Sequence, residues 1–161
     1  MEKVNVSKEE QKLKDYKTVA NFLMSGNKKE VKEFAEQLNW EKFTEDCCKF
    51  MDIEYIRKYK DYIDWRVYIS ETEDLPIDFL KEFVDYIDWG YYTSEKSIPI
   101  DVIREFKDYI DWEIYISDAV YLSKDFIREF ADYIDWEILA DSYCFSDEFR
   151  EEFKEYLEKT E

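Results

Sequence analysis

The stretch Asp108-Tyr109-Ile110-Asp111-Trp112 decides the fold. The same five letters stand at 61–65, 85–89 and 132–136. A degenerate copy, Glu36-Gln37-Leu38-Asn39-Trp40, precedes them, and Glu155-Tyr156-Leu157-Glu158 follows without its Trp. The tryptophans fall at 40, 65, 89, 112 and 136, a period of 23 to 25 residues. Self-similarity at this period signals a repeat architecture, in which each unit buries its apolar face only against its neighbours.

Working outward from each Trp gives one hydrophobic skeleton. Six positions before it stand Phe34, Tyr59, Phe83, Phe106, Phe130 and, in the last copy, Phe153. Ten and nine before it come Tyr55/Ile56, Phe79/Leu80, Val102/Ile103 and Phe126/Ile127; three and two before it come Tyr62/Ile63, Tyr86/Ile87, Tyr109/Ile110 and Tyr133/Ile134. At 100° per residue these positions share an arc of about 120°, which predicts one long amphipathic helix, helix A. Its start carries cap and first-turn residues: Asn27, Asp52, Pro76, Pro99, Ser123 and Ser146.

After the Trp, Ile110 to Ile116 alternates like a strand, but Lys42 breaks the alternation in the first copy. An apolar or aromatic residue three after the Trp (Phe43, Tyr68, Tyr92, Tyr115, Leu139) and Asp64, Asp88, Asp111 and Asp135 as N-caps favour a short helix B. Ahead of the repeats, Ser7 and Glu10 form a capping box, and Leu13, Tyr16, Val19, Ala20 and Leu23 recur at helical spacing up to Gly26, a natural stop. The expected fold is therefore all-α. It is an α-solenoid of two-helix repeats, with a capping helix over 1–26, five repeats over 27–145 and a closing helix over 146–161, in one continuous domain. The last copy has Arg150, Glu151 and Lys159 where the others are apolar, basic and Trp. It reads as a polar end cap, as expected of a complete chain.

Composition agrees with helices and narrows function. Two Gly and two Pro are too few for the many turns of a sandwich or barrel. Aromatics at 19% are too many for a disordered acidic tail, despite a net charge of −18. That charge repels nucleic acid and anionic membranes, so an electrostatic partner should be basic. No apolar run reaches the length of a membrane span, and Met1 to Asn5 is polar, which predicts a cytoplasmic protein. Cys47, Cys48 and Cys144 show no framework spacing and read as reduced thiols.

The unit F-I-x-E-F-x-D-Y-I-D-W, clearest at 126–136, with the Ile-Ser that ends the stretch 112–117 after its Trp, resembles a tandem repeat of uncharacterised bacteriophage and large-DNA-virus proteins. The resemblance covers roughly residues 27 to 158 and transfers no catalytic residue. It implies a phage or viral origin and a role against a host factor.

Chemistry is sparse. With no His there is no Ser-His or Cys-His nucleophile system and no His-containing zinc site. Gly26 and Gly90 alone build no phosphate loop, and no calcium-loop pattern occurs. The expectation is a non-enzyme without metal or cofactor. The acids remain. Four before the Trp position stand Glu36, Asp61, Asp85, Asp108, Asp132 and Glu155; seven before it, Glu33, Glu82, Glu105, Glu129 and Glu152, with Lys58 the exception; eleven before it, Glu54, Asp78, Asp101, Asp125 and Glu148. Rows of carboxylates along stacked helices approach the phosphate density of DNA. The candidate partner-binding residues are Asp61, Glu82, Asp85, Glu105, Asp108, Glu129 and Asp132. Through them the chain would occupy a basic, nucleic-acid-handling host protein without touching nucleic acid itself. The alternative is a solvated face, diluted by Lys32, Arg57, Lys81, Arg104 and Arg128 pairing with acids four residues on, for example Arg104 with Asp108. The chain would then be a scaffold binding through its concave surface, with Tyr68, Tyr92 and Tyr115 protruding from helix B and the acidity serving solubility.

Overall fold

A computed structural model describes residues 8–119, 121–142 and 145–158. The expected Ser7–Glu10 box and Cys144 lie outside the described side chains. Among the described residues the chain is all-helical, with no strand. It divides into two compact units, Met1–Ile87 and Asp88–Glu161.

The first unit opens with α1, Lys8–Ser25. Gly26 follows, and its backbone N–H bonds Phe22 O at 2.8 Å. No glycine here has a positive φ, so Gly26 is not the left-handed stop that its position suggested. Its need is space: an added Cβ would lie 2.7 Å from Phe22 O and 2.8 Å from a Val31 methyl. Then come α2 (Lys28–Gln37), α3 (Trp40–Cys47), α4 (Ile53–Tyr59), α5 (Trp65–Glu71) and α6 (Ile77–Glu82). α3 packs against α1 on one side and α5 on the other. The core between them holds Tyr16, Leu23, Phe43, Tyr55, Ile56 and Tyr59.

The second unit contains α7 (Trp89–Glu95), α8 (Ile100–Phe106), α9 (Trp112–Asp118), α10 (Lys124–Glu129), α11 (Trp136–Ser142), α12 (Asp147–Glu152) and α13 (Lys154–Leu157). Its helices B stack in order, α7 on α9 and α9 on α11, and α13 closes on α11. The alternating stretch after each Trp is therefore helix. Asp64, Asp88 and Asp111 each accept the backbone N–H three residues on, at 3.0 to 3.1 Å, as helix N-caps do. Asp135 takes the N–H groups of Glu137 and Ile138.

Helix A is shorter than its hydrophobic arc implies. It stops near the aromatic six before the Trp, and a tight turn follows. In the repeat before Trp112, Phe106 O accepts both Tyr109 N (2.8 Å) and Ile110 N (3.1 Å); Tyr59 and Phe130 do the same in their copies. The i→i+3 bond tightens the last turn, which aims the chain into helix B. The following Ile still points inward: Ile63, Ile87, Ile110 and Ile134 are all buried. A continuous helix and a helix with a terminal 3-10 turn thus bury the same positions. The Trp completes the turn. Its indole N–H bonds the carbonyl five residues back, from Trp40 to Ala35, Trp65 to Lys60, Trp112 to Lys107 and Trp136 to Ala131, at 2.7 to 2.9 Å. That carbonyl is one of the acceptors a helix end leaves open.

Each Trp ring also packs on the aromatic pair of the next copy. Trp65 meets Phe83 and Tyr86, and Trp112 meets Phe130 and Tyr133, with centroids 5.1 to 5.5 Å apart. The Trp therefore anchors one repeat to the next within each unit. The residues three after the Trp do not protrude. Tyr68 and Tyr92 are buried and Tyr115 is half-buried. The reason is direct stacking on the next helix A: Tyr68 lies on Phe79 at 5.7 Å and 14°, and Tyr115 on Phe126 at 5.6 Å and 21°.

Candidate functional site

All seven candidate carboxylates, Asp61, Glu82, Asp85, Glu105, Asp108, Glu129 and Asp132, are solvent-exposed. Five of them have partners one repeat away. Arg57 donates from Nε and Nη2 to the two oxygens of Glu82, at 2.5 and 2.8 Å. Arg104 grips Glu129 with the same atoms and distances, and Arg128 grips Glu152. These are bidentate forks between the residue eight before one Trp and the acid seven before the next. Arg57 and Arg128 also reach back to Glu54 and Asp125, eleven before the Trp.

The row four before the Trp uses tyrosine instead. Tyr86 Oη donates to Asp61 at 2.7 Å, Tyr133 to Asp108 at 2.8 Å and Tyr156 to Asp132 at 3.1 Å. Lys60 and Lys107 lie over the Tyr86 and Tyr133 rings, 4.9 and 5.1 Å from the centroids.

Electrostatics follow the geometry. The guanidinium forks hold the carboxyls of Glu82, Glu129 and Glu152 below their ordinary range and raise Arg57, Arg104 and Arg128. The bond to Asp132 raises the Tyr156 phenol. Arg104 therefore pairs with Glu129 of the following copy, and Asp108, expected to be its partner, takes a phenol. Pairing within one helix does occur in the first repeat, where Lys32 lies 3.7 Å from Glu36. Arg57 and Arg128 each serve two acids, while Asp61, Asp108 and Asp132 each accept a phenol O–H.

Sequence reasoning missed these bonds, although a signal existed. The Arg–Glu and Tyr–Asp partners are separated by 24 or 25 residues, one repeat. Two further features were not visible. Tyr109 and Tyr121 are exposed, at 48% and 78%, in place of the helix-B tyrosines. Cys47 and Cys48 are free and buried, and burial pushes the Cys47 thiol up to about 11. Among the described residues no group of three or more Cys, Asp or Glu could hold a metal ion, and no helix is long and apolar enough to cross a membrane. No family model matches the chain, and neither a curated protein nor a solved structure does.

Proposed function

We propose that this chain is an acidic α-solenoid of helical repeats that occupies a basic, nucleic-acid-binding surface of a partner protein by imitating a phosphate row. It acts by stoichiometric competition and turns nothing over. The observation that carries the reading is the pair Asp108 and Asp132 in the second unit, with Asp61 held in the same way in the first. Each aspartate is exposed, and each is oriented by a phenol O–H from the next repeat. Carboxylates already fixed in place cost less ordering on binding than free side chains. The resemblance to phage and viral repeats is the ground for placing the partner in a host, in the cytoplasm.

A scaffold function independent of charge is the second reading. It is favoured by the Arg forks, which use the row seven before the Trp to join repeats and leave it largely neutralised. Its contacts would centre on exposed aromatics such as Tyr109 and Tyr121.

One experiment separates the two. The protein and its Asp61→Asn/Asp108→Asn/Asp132→Asn variant are immobilised and exposed to host lysate, with and without competing duplex DNA. Asn keeps an acceptor for each phenol and removes only charge. Mimicry requires capture of nucleic-acid-binding proteins that duplex DNA displaces and the variant loses. Undiminished capture by the variant, indifferent to DNA and to salt, would refute mimicry and leave the scaffold.

A further inference from the structure

The capping helix forms one wall of a cleft in the first unit. In the first unit α1 lies against α3 where other copies present a preceding helix B. Between them is a cleft of about 260 Å³. Its apolar wall is Tyr16, Val19, Leu38, Phe43 and Cys47. Tyr16 and Phe43 are stacked there, 6.1 Å apart and 27° from parallel.

The rim is charged, and one charge is uncompensated. Lys12 Nζ on α1 meets Asp46 at 2.5 Å, tying α1 to α3 beside the cleft. Lys42 Nζ lies 3.5 Å from the same carboxylate and 2.8 Å from Glu45. Both lysines are thus engaged. Asp15, also on the rim, accepts a neutral amide N–H from Gln11 at 2.8 Å and makes no ion pair among the described residues. An anion entering here meets committed lysines and a protein of net charge −18, whereas a cation is drawn in.

We propose that this cleft binds a small primary amine with an aromatic body, its ammonium against Asp15 and its ring against the Tyr16–Phe43 wall. The volume suits a single ring with a short side chain. The occupant bridges α1 and α3, so it stiffens the junction between the cap and the first repeat. The site is separate from the carboxylate rows and stands or falls apart from their function.

Phenethylamine and its uncharged counterpart 2-phenylethanol are the probes, titrated into the full ¹⁵N-labelled chain. Saturable amide shifts are expected at Tyr16, Phe43 and Cys47, with half-saturation by the amine about ten-fold below that of the alcohol, the order of one charge-assisted contact. Asp15→Asn, an exposed helix position, should bring the two probes to within about two-fold of each other. Val19→Phe should fill the cleft and abolish saturable shifts for both; Leu38→Phe serves if that variant does not fold. Equal half-saturation of both probes in the wild type overturns the proposal. So does an absence of saturation, or undiminished binding to the filled variant.

Discussion

Tyr55→Phe should make this protein more stable, although it removes a polar group from the most buried tyrosine. Tyr55 is 1% exposed, wedged against Tyr16 (5.8 Å), Phe43 (6.4 Å) and Tyr59 (4.9 Å). Its hydroxyl is out of reach of solvent and has no hydrogen-bond partner. An unsatisfied buried hydroxyl costs about 1–3 kcal/mol. Deleting it leaves a gap of about 15 Å³, worth roughly 0.4 kcal/mol at the cavity coefficient. The net gain is about 1–2 kcal/mol, and a chain of this size converts that to a Tm rise of about 3–6 °C. Other copies already carry Phe79, Phe126 and Phe149 at the same register, so the ring alone suffices there. The alkaline limb sharpens the test. Burial raises the Tyr55 phenol well above its ordinary value of 10.0. A folded pKa above the unfolded one gives stability that is complete below pH 10 and is lost as pH rises beyond it. The advantage of Phe should therefore widen above pH 10. Scanning calorimetry of both proteins at pH 7 and pH 10.5 decides the matter. A lower Tm for the variant at pH 7 would refute the reasoning, because it would mean that the hydroxyl is hydrogen-bonded.

Three further outcomes follow from the same geometry. Gly90 sits in α7 with a negative φ, and an added Cβ meets nothing closer than 3.6 Å, so Gly90→Ala should stabilise by about 0.5–1 kcal/mol in urea titration. Asp111→Ala should cost about 1 kcal/mol by loss of the α9 cap, and Asp111→Asn should restore most of it; equal losses in the two would argue against capping. A double-mutant cycle of Arg104→Gln and Glu129→Gln should show a favourable coupling that fades in 1 M salt, while the same cycle on Arg104 and Asp108 should show little.

Local chemistry was legible in the sequence, and contacts one repeat apart were not. Asp111 before Trp112 announces a cap because an N-cap and its N–H lie three residues apart. The Trp positions reveal the junctions because a large apolar side chain at a fixed period has only its neighbours to pack against. Helix A was read too long because Ile110 faces inward both on a continued helix and after a 3-10 turn, so periodicity does not separate them. The burial of Tyr68 was hidden for a related reason. Helix B is only seven residues long in α5, α7 and α9, which leaves few positions to show an amphipathic stripe. The acids were misread through distance: Arg104 has an acid four residues on in sequence, yet its fork closes on one 25 residues on.

Lys58 shows what sets residue type along that row. It stands where the other copies carry Glu33, Glu82, Glu105, Glu129 and Glu152. The residue one repeat back at the arginine position is Lys32, so a glutamate at 58 would have had a cation to meet. What lies across from Lys58 is instead the end of α1. Its ammonium bonds Leu23 O at 3.0 Å and Met24 O at 3.4 Å, and Tyr59 Oη joins Leu23 O at 2.6 Å. A cation is favoured at a helix C-terminus, where open carbonyls concentrate negative potential. Lys58 thus meets a helix end where Glu82, Glu129 and Glu152 meet a guanidinium. At these four positions the side chain is matched to the group it faces, whereas Asp61, Asp108 and Asp132, four before the Trp, meet a phenol.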